Sequence, residues 1–371
     1  MALNRLKCKG CEESTLKAVE EQHVLERLRA YAFNSSHFVW LISNFHFLQS
    51  TTGWIFAVTR KFGVNLIALE PLPSYQFFLD DEFLDAMEEL RAHLPRGPIA
   101  FIAIGNKFAS LLNTDGFYNL QIGKEPWVKL GDHEPKGNRG KGVRAARNQA
   151  IRAGIVVENW KLSDVHRRPE LRARVDEIHQ HWLTRTRISL EGFLLKTDPW
   201  KLMDDRCCFL ARNARGKIEG VLISTPVTSV DAWYLEDMWL AENHTRGIGE
   251  LLTLEAMRYL DARGSRHVSL GLVPMTDVCF AANHASAARD RPRVFSLGML
   301  ALAQALKIFY NADGLVLFRK RFNVEYWSST FISVRVTKKF WFMKSLQWSQ
   351  VMIALLGAHR PRFYFRKSKS T

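Results

Sequence analysis

Residues 233–278, WYLEDMWLAENHTRGIGELLTLEAMRYLDARGSRHVSLGLVPMTDV, carry a strand, a turn, a helix and a second strand in one run. Leu251, Leu252, Ala256, Tyr259 and Leu260 recur at helical spacing, and Val268 to Leu272 reads as a buried strand. The turn Arg246-Gly247-Ile248-Gly249 falls where the helix begins. A helix N-terminus offers unpaired N–H groups and the positive end of the dipole, and glycines let an anion approach the backbone. Arg246, Gly247 and Gly249 are therefore expected to hold phosphate or an oxyanion, with Glu250 in the first helical turn beside them. Glu236 and Asp237 lie on the strand before this turn, and strand alternation sends them to opposite faces. Either one facing the cleft could act as a general base or hold a substrate ammonium group.

Outward from that unit, the 371 residues are enough for two domains, and 47% hydrophobic with 24% charged residues is the balance of a packed globular protein. The formal charge of +15 points to a polyanionic partner, nucleic acid or an anionic membrane surface. Five cysteines, an odd number, fit a reducing compartment better than a disulfide framework, and Cys8-Lys9-Gly10-Cys11 has no second pair to complete a zinc site. No metal and no resident cofactor are expected. The first ten residues lack a leader's apolar core, and no apolar run reaches ~18 residues, so a cytoplasmic, peripheral location is expected. Nothing in the sequence sets an oligomeric state.

Residues 1–135 read as one α/β unit. A helix over 14–34 precedes strands at Phe38–Ile42, Gly53–Val58 and Val64–Leu69. A helix over Asp80–Leu94, a strand at Ile99–Gly105 and a short helix from Phe108 follow. The glycine-rich loop 136–142 opens a second unit, 136–335, with a basic helix ending at Gly154, a helix over Arg172–Leu183, a hairpin around Arg212–Gly220 and an apolar helix over Phe295–Phe309. Arg144, Arg147 and Arg152 on the basic helix are candidate phosphate contacts for an RNA. Arg319 and Arg321, read as one face of a strand, are candidate phosphate forks. Residues 336–371 form a basic extension with interleaved Phe340, Trp341, Phe342 and Trp348, open to two readings: a membrane-interface segment, or a helix packed on the domain with a basic tail.

Several segments, in order, resemble the C-terminal catalytic domain of the phosphatidylglycerol lysyltransferases. Gly123-Lys124-Glu125-Pro126 is similar to the family's G-x-E-P, and the helix with Arg144 and Arg147 to its R-x-x-R-x-x-A. Trp182-Leu183 with Gly192-Phe193, Leu270 to Met275, and Gly314 to Phe322 with Trp327 behind it resemble three further motifs. The resemblance covers roughly residues 95–335. It implies an α/β fold of tandem GNAT-like acyltransferase domains, in which the Arg-Gly-Ile-Gly turn is the acyl-carrier site. It also implies an enzyme that moves an amino acid from aminoacyl-tRNA, a co-substrate, to the hydroxyl of an anionic membrane lipid at the inner membrane face. Two departures stand out: the family's D-L-M-R reads Glu236-Asp237-Met238-Trp239, and Val316-Leu317 replaces a basic pair. An acyl-CoA-dependent N-acyltransferase and a non-catalytic module that binds RNA or membrane are the rival readings.

Overall fold

A computed structural model describes residues 16–76, 79–185, 196–280, 312–336, 346–351 and 353–354. The chain begins with β1 (Lys17–Ala18), α1 (Glu21–Tyr31), α2 (Val39–Ile42), β2 (His46–Gln49), β3 (Ile55–Lys61) and β4 (Val64–Leu72). It continues with α3 (Asp80–His93), β5 (Ile99–Gly105), α4 (Asn106–Thr114) and β6 (Tyr118–Lys129). Then come α5 (Lys141–Arg152), β7 (Val156–Lys161), α6 (Leu162–Arg167), α7 (Pro169–Arg185), β8 (Cys207–Arg212) and β9 (Ile218–Val227). The last described elements are β10 (Ala232–Leu240), α8 (Ile248–Ala262), β11 (His267–Ser269), β12 (Val273–Phe280), α9 (Ala312–Lys320) and β13 (Val324–Arg335).

The strands join in one mixed sheet in the order β1-β2-β3-β4-β5-β13-β6-β11-β10-β9-β8-β7, with β12 also on β6. Each half has one parallel pair, β4 with β5 and β10 with β11, bridged by α3 and by α8. Strands from the two sides of residue 135 interleave at the centre. β6 pairs with β11 of the later segment, while β13 pairs with β5 of the earlier one. β6 and β13 also pair with each other, antiparallel, so the halves share a continuous hydrogen-bonded seam.

Both sheet faces are covered, which is why β4 is buried at all nine positions instead of alternating. On one face of the first half Val24 and Leu28 of α1 pack with Trp348, Val351 and Ala354. On the other, Phe83, Met87 and Leu90 of α3 meet Phe108 of α4. In the second half α6 and α7 cover one face through Leu162, Val165, Val175 and Ile178, and α5 and α8 cover the other through Ala150, Leu252 and Ala256.

Three expectations change. The run Phe38–Ile42, expected as a strand, turns into α2: Val39 N–H bonds Ser36 O, Trp40 N–H bonds His37 O, and the Trp40 indole donates to Ala68 O at 3.1 Å. All four helical residues are buried, and a short run enclosed on every side has no period to distinguish helix from strand. The expected helix over 14–34 shortens to α1, because Leu16 is drawn into the core and Lys17–Ala18 pairs with β2. Finally, the helical stretch at 346–351 and 353–354 belongs to the first half's core through Trp348, Val351 and Ala354, so this part is the packed helix of the two readings and not a separate extension. Phe340, Trp341 and Phe342, the tail from 355, and the expected helix over Phe295–Phe309 lie outside the described residues.

Candidate active site

β10 and β11 stay paired for three rungs, Ala232↔His267, Trp233↔Val268 and Tyr234↔Ser269, and then part. Gly271, at φ +82°, turns the chain away into β12, which pairs with β6. A side chain at this glycine would lie 2.7 Å from the Tyr234 ring, so the turn can close against that ring only with glycine. The parting of two parallel strands at their C-terminal ends is where an α/β sheet opens a crevice.

The charged groups gather at this opening. The β9–β10 register runs Leu235↔Ser224 and then Asp237↔Ile223, leaving Glu236 as a bulged residue. The bulge undoes the alternation expected of Glu236 and Asp237. Instead of pointing to opposite faces, both reach the same guanidinium: Arg206 Nη2 lies 3.0 Å from Glu236 Oε2 and 3.4 Å from Asp237 Oδ2. Arg206 has no exposed side-chain surface, while the Glu236 and Asp237 side chains retain 8% and 9%. Arg206 is anchored by the carbonyls of Asp198 (2.8 Å) and Lys201 (3.1 Å), and Thr225 Oγ1 donates to Glu236. Burial first, and the Glu236 charge second, push the Asp237 carboxyl up to about 8 against the opposing Arg206 charge. Two carboxylates beside one cation in a dry site thus retain a proton between them near neutral pH.

Glu125 of β6 faces the same opening. It accepts hydrogen bonds from the Ser269 and Ser35 hydroxyls, and burial raises its carboxyl above the ordinary range. Ser269 Oγ in turn accepts Gly271 N–H at 2.9 Å, and the Tyr234 phenol is pushed upward by burial and by the neighbouring carboxylates. A second buried carboxylate sits at the parting of β4 and β5 in the first half. Glu70 accepts Gly105 N–H at 2.5 Å and Asn34 Nδ2–H at 2.7 Å, and burial raises it to about 7. His37 Nδ1 accepts the Phe33 and Asn34 N–H groups, its Nε2 lies 3.0 Å from Glu70 O, and burial lowers it to about 4. The segment Asn34–Ser35 therefore ties Glu70 to Glu125 across the central seam.

The remaining sequence-derived candidates separate. Gly247, at φ +91°, is the N-cap of α8, but its open side faces α5: a Cβ there would lie 2.0 Å from Ala146 O. Gly249 is buried against Met238 and Phe318. The Cβ direction of Gly247 is filled by α5, that of Gly249 meets only ordinary contacts, and Arg246 alone of that turn is exposed. Arg319 and Arg321 are not on a strand. Arg319 lies in the last turn of helix α9 and donates to Gly271 O at 2.5 Å; Arg321 lies past the helix end, 4.0 Å from Glu250. Residues two apart near a helix diverge instead of converging, and Phe318 and Phe322, packed into the α8 core, hold the segment in this form. Of the RNA candidates, Arg144 donates to the carbonyls of Pro135 and Gly137, and Arg147 pairs with Glu134 at 2.9 Å. Of these three arginines, Arg152 is the exposed one. Trp239, where the family's motif has arginine, is fully buried against His179 (ring centroids 4.3 Å apart). Sequence spacing alone does not single out Arg206, Tyr234 or Ser269, since they meet the carboxylates only through the fold. Glu125 was visible in the G-x-E-P segment.

Among the described residues, no group of three His, Cys, Asp or Glu could hold a metal ion, and no helix is long and apolar enough to cross a membrane.

The solved structures similar to this one share its fold at low identity. The C-terminal domain assigned to a lysylphosphatidylglycerol synthetase from Agrobacterium fabrum superposes with TM-score 0.68 at 17% identity, over 92% of this chain and 100% of that chain. L-PGS from Bacillus licheniformis gives 0.66 at 14%, over 91% and 98%, and FemX gives 0.51 at 10%, over 87% and 97%. No curated protein matches the chain at a significant level. The sequence matches the family model of phosphatidylglycerol lysyltransferase, C-terminal, over residues 25–332. With its two halves each built on a parting parallel strand pair, the chain has the tandem GNAT-like architecture and belongs to the phosphatidylglycerol lysyltransferase C-terminal family of acyl- and aminoacyltransferases.

Proposed function

We propose that this protein transfers an aminoacyl group from aminoacyl-tRNA to a hydroxyl of an anionic polar lipid at the inner face of the membrane. The observation that carries the reading is the Glu236–Asp237 pair, buried on one guanidinium at the opening between β10 and β11, where burial raises the Asp237 carboxyl. Ester transfer to a hydroxyl needs a base for the attacking oxygen and an acid for the departing ribose oxygen. In the proposed step the ionised member of the pair takes the proton of the lipid hydroxyl as its oxygen bonds to the ester carbonyl carbon. The protonated member then gives its proton to the ribose oxygen as the old ester bond breaks. The pair ends with the same single proton it began with, and no other co-reactant is needed. Arg206 stabilises the charged pair and sets its orientation. Arg319, tied to Gly271 at the rim, adds positive charge near the tetrahedral oxyanion.

The test is incubation of the purified chain with a panel of radiolabelled aminoacyl-tRNAs and phosphatidylglycerol vesicles. Label should move into the organic phase, and Asp237→Asn should reduce kcat by ~10²-fold or more. Label that stays on tRNA with every amino acid, while acetyl-CoA is consumed in parallel reactions, would overturn the reading.

A further inference from the structure

The β3–β4 hairpin ends in Phe62 (φ +48°) and Gly63 (φ +77°), and the Phe62 side chain is 60% exposed. Gln350, on the helical stretch at 346–351, donates to Phe62 O at 2.6 Å and fixes hairpin tip and helix side by side. That helix is two-faced. Trp348, Val351 and Ala354 turn into the core, while Leu346 and Ile353, on the side of Gln350, are 68% and 55% exposed. Three large apolar side chains therefore stand in solvent around one spot. Beside them opens a cavity of about 770 Å³ lined by Arg60, Arg91, Arg96 and Arg335, together with Gly63 and Gln350. Asp115 is shared by Arg91 and Arg335, the latter at 3.3 Å. Arg60 holds the carbonyls of Pro95 (3.1 Å) and Arg96 (3.0 Å), which brings no negative charge, and Arg96 is exposed. Four guanidinium groups thus face one carboxylate.

We propose that this face docks on an anionic phospholipid bilayer, with Phe62, Leu346 and Ile353 entering the boundary of headgroups and acyl chains and the arginines taking lipid phosphates. Apolar tips rimming a basic cavity match a surface that is apolar below and anionic above. An RNA would use the arginines and could stack a base on Phe62, but it would leave the aliphatic Leu346 and Ile353 in water, whereas a bilayer takes all three. The sheet orients this face with the carboxylate site. Arg335 pairs with Ile99 at the end of the sheet where β6 begins, and β10 and β11 run toward that same end. β13 and β10 lie three strand spacings apart, roughly 15 Å, and the register on β6, Val334 opposite Tyr118 and Ser269 opposite Trp127, sets the arginine end about 30 Å further along the strands. A bilayer on the arginine cavity would lie on the side toward which the opening faces. The surface deepens the proposed function and rests on it only for its use, not for its existence.

The test is co-sedimentation of the full chain with vesicles of phosphatidylcholine alone or with about one-third phosphatidylserine, a lipid chosen because it is anionic without being the proposed acceptor. The chain should sediment with the anionic vesicles only. Phe62→Asn combined with Leu346→Ser and Ile353→Ser should weaken binding at least tenfold, asparagine being suited to the left-handed backbone at 62. Arg96→Glu alone, at an exposed position that leaves the fold intact, should weaken it severalfold. Wild type that ignores anionic vesicles overturns the proposal, as does either variant binding like wild type. Arg96→Glu losing RNA retention while vesicle binding is unchanged would assign the cavity to RNA instead. Vesicle binding without any aminoacyl transfer would sink the proposed function and leave this surface standing.

Discussion

At the scale of single residues, the chemistry depends on where one proton sits. Asp237 is held near 8 by burial and by Glu236, so the pair carries one proton up to about pH 8 and none well above it. The kcat profile should therefore fall above about pH 8. In Glu236→Gln, which removes the neighbouring charge that raises Asp237, the residual activity should fall at lower pH. A limb that stays in place would detach the profile from this pair. Stability carries the same signature. The folded state holds the Asp237 proton between its unfolded value of 3.8 and about 8, so its contribution is full below about pH 4 and is lost as pH rises to about 8. Asp237→Asn should flatten that part of the pH dependence of urea midpoints. The bulge at Glu236 is the residue-level feature that sequence could not provide. Strand alternation separates neighbours, and only pairing with β9 shows where the alternation breaks. Trp239 shows the same limit. Its side chain fills the core beside His179, and a guanidinium from a distant loop, Arg206, serves the carboxylates.

At the scale of elements, the α5–α8 contact sets how tightly the Arg-Gly-Ile-Gly turn is packed. Gly247 combines a left-handed backbone with a carbonyl 2.0 Å from where a Cβ would stand, whereas a Cβ at Gly249 would meet only ordinary contacts at 3.6 Å and beyond. Gly247→Ala should cost at least about 2 kcal/mol in chemical denaturation. Gly249→Ala should be neutral or stabilising by up to about 1 kcal/mol through helix propensity, with transfer activity retained. Loss of activity in a folded Gly249→Ala protein would mean that a ligand approaches that backbone, and the packing account would fall. Strong periodicity made α3, α5, α7 and α8 legible, each within a few residues of its expected bounds. The segments that misled, Phe38–Ile42 and Gly314–Phe322, are short apolar or mixed runs whose form is set by what encloses them.

At the scale of the whole molecule, the interleaving of β6 and β13 makes the halves interdependent. Ile332 and Val334 of β13 fill the first half's core on one face and Phe331 on the other, while Val128 of β6 fills the second half's. Urea unfolding followed by tryptophan fluorescence and by far-UV circular dichroism should give coincident curves. A fragment ending at residue 135 should show no cooperative melt, since it lacks the strand beside β5. A sharp transition in that fragment would mean that β13 is dispensable to the first half.

The α/β class, the repeated strand–helix–strand order, the family resemblance and the carboxylates Glu236 and Asp237 are legible in the chain, because periodicity and local motifs are written in residues close along it. The fold alone shows that these carboxylates share Arg206, that Glu125 and Glu70 join through Asn34–Ser35, and that Gly247 packs on α5. Those outcomes depend on contacts between residues up to about a hundred positions apart, brought together by strand order, bulge and burial, which no local pattern records.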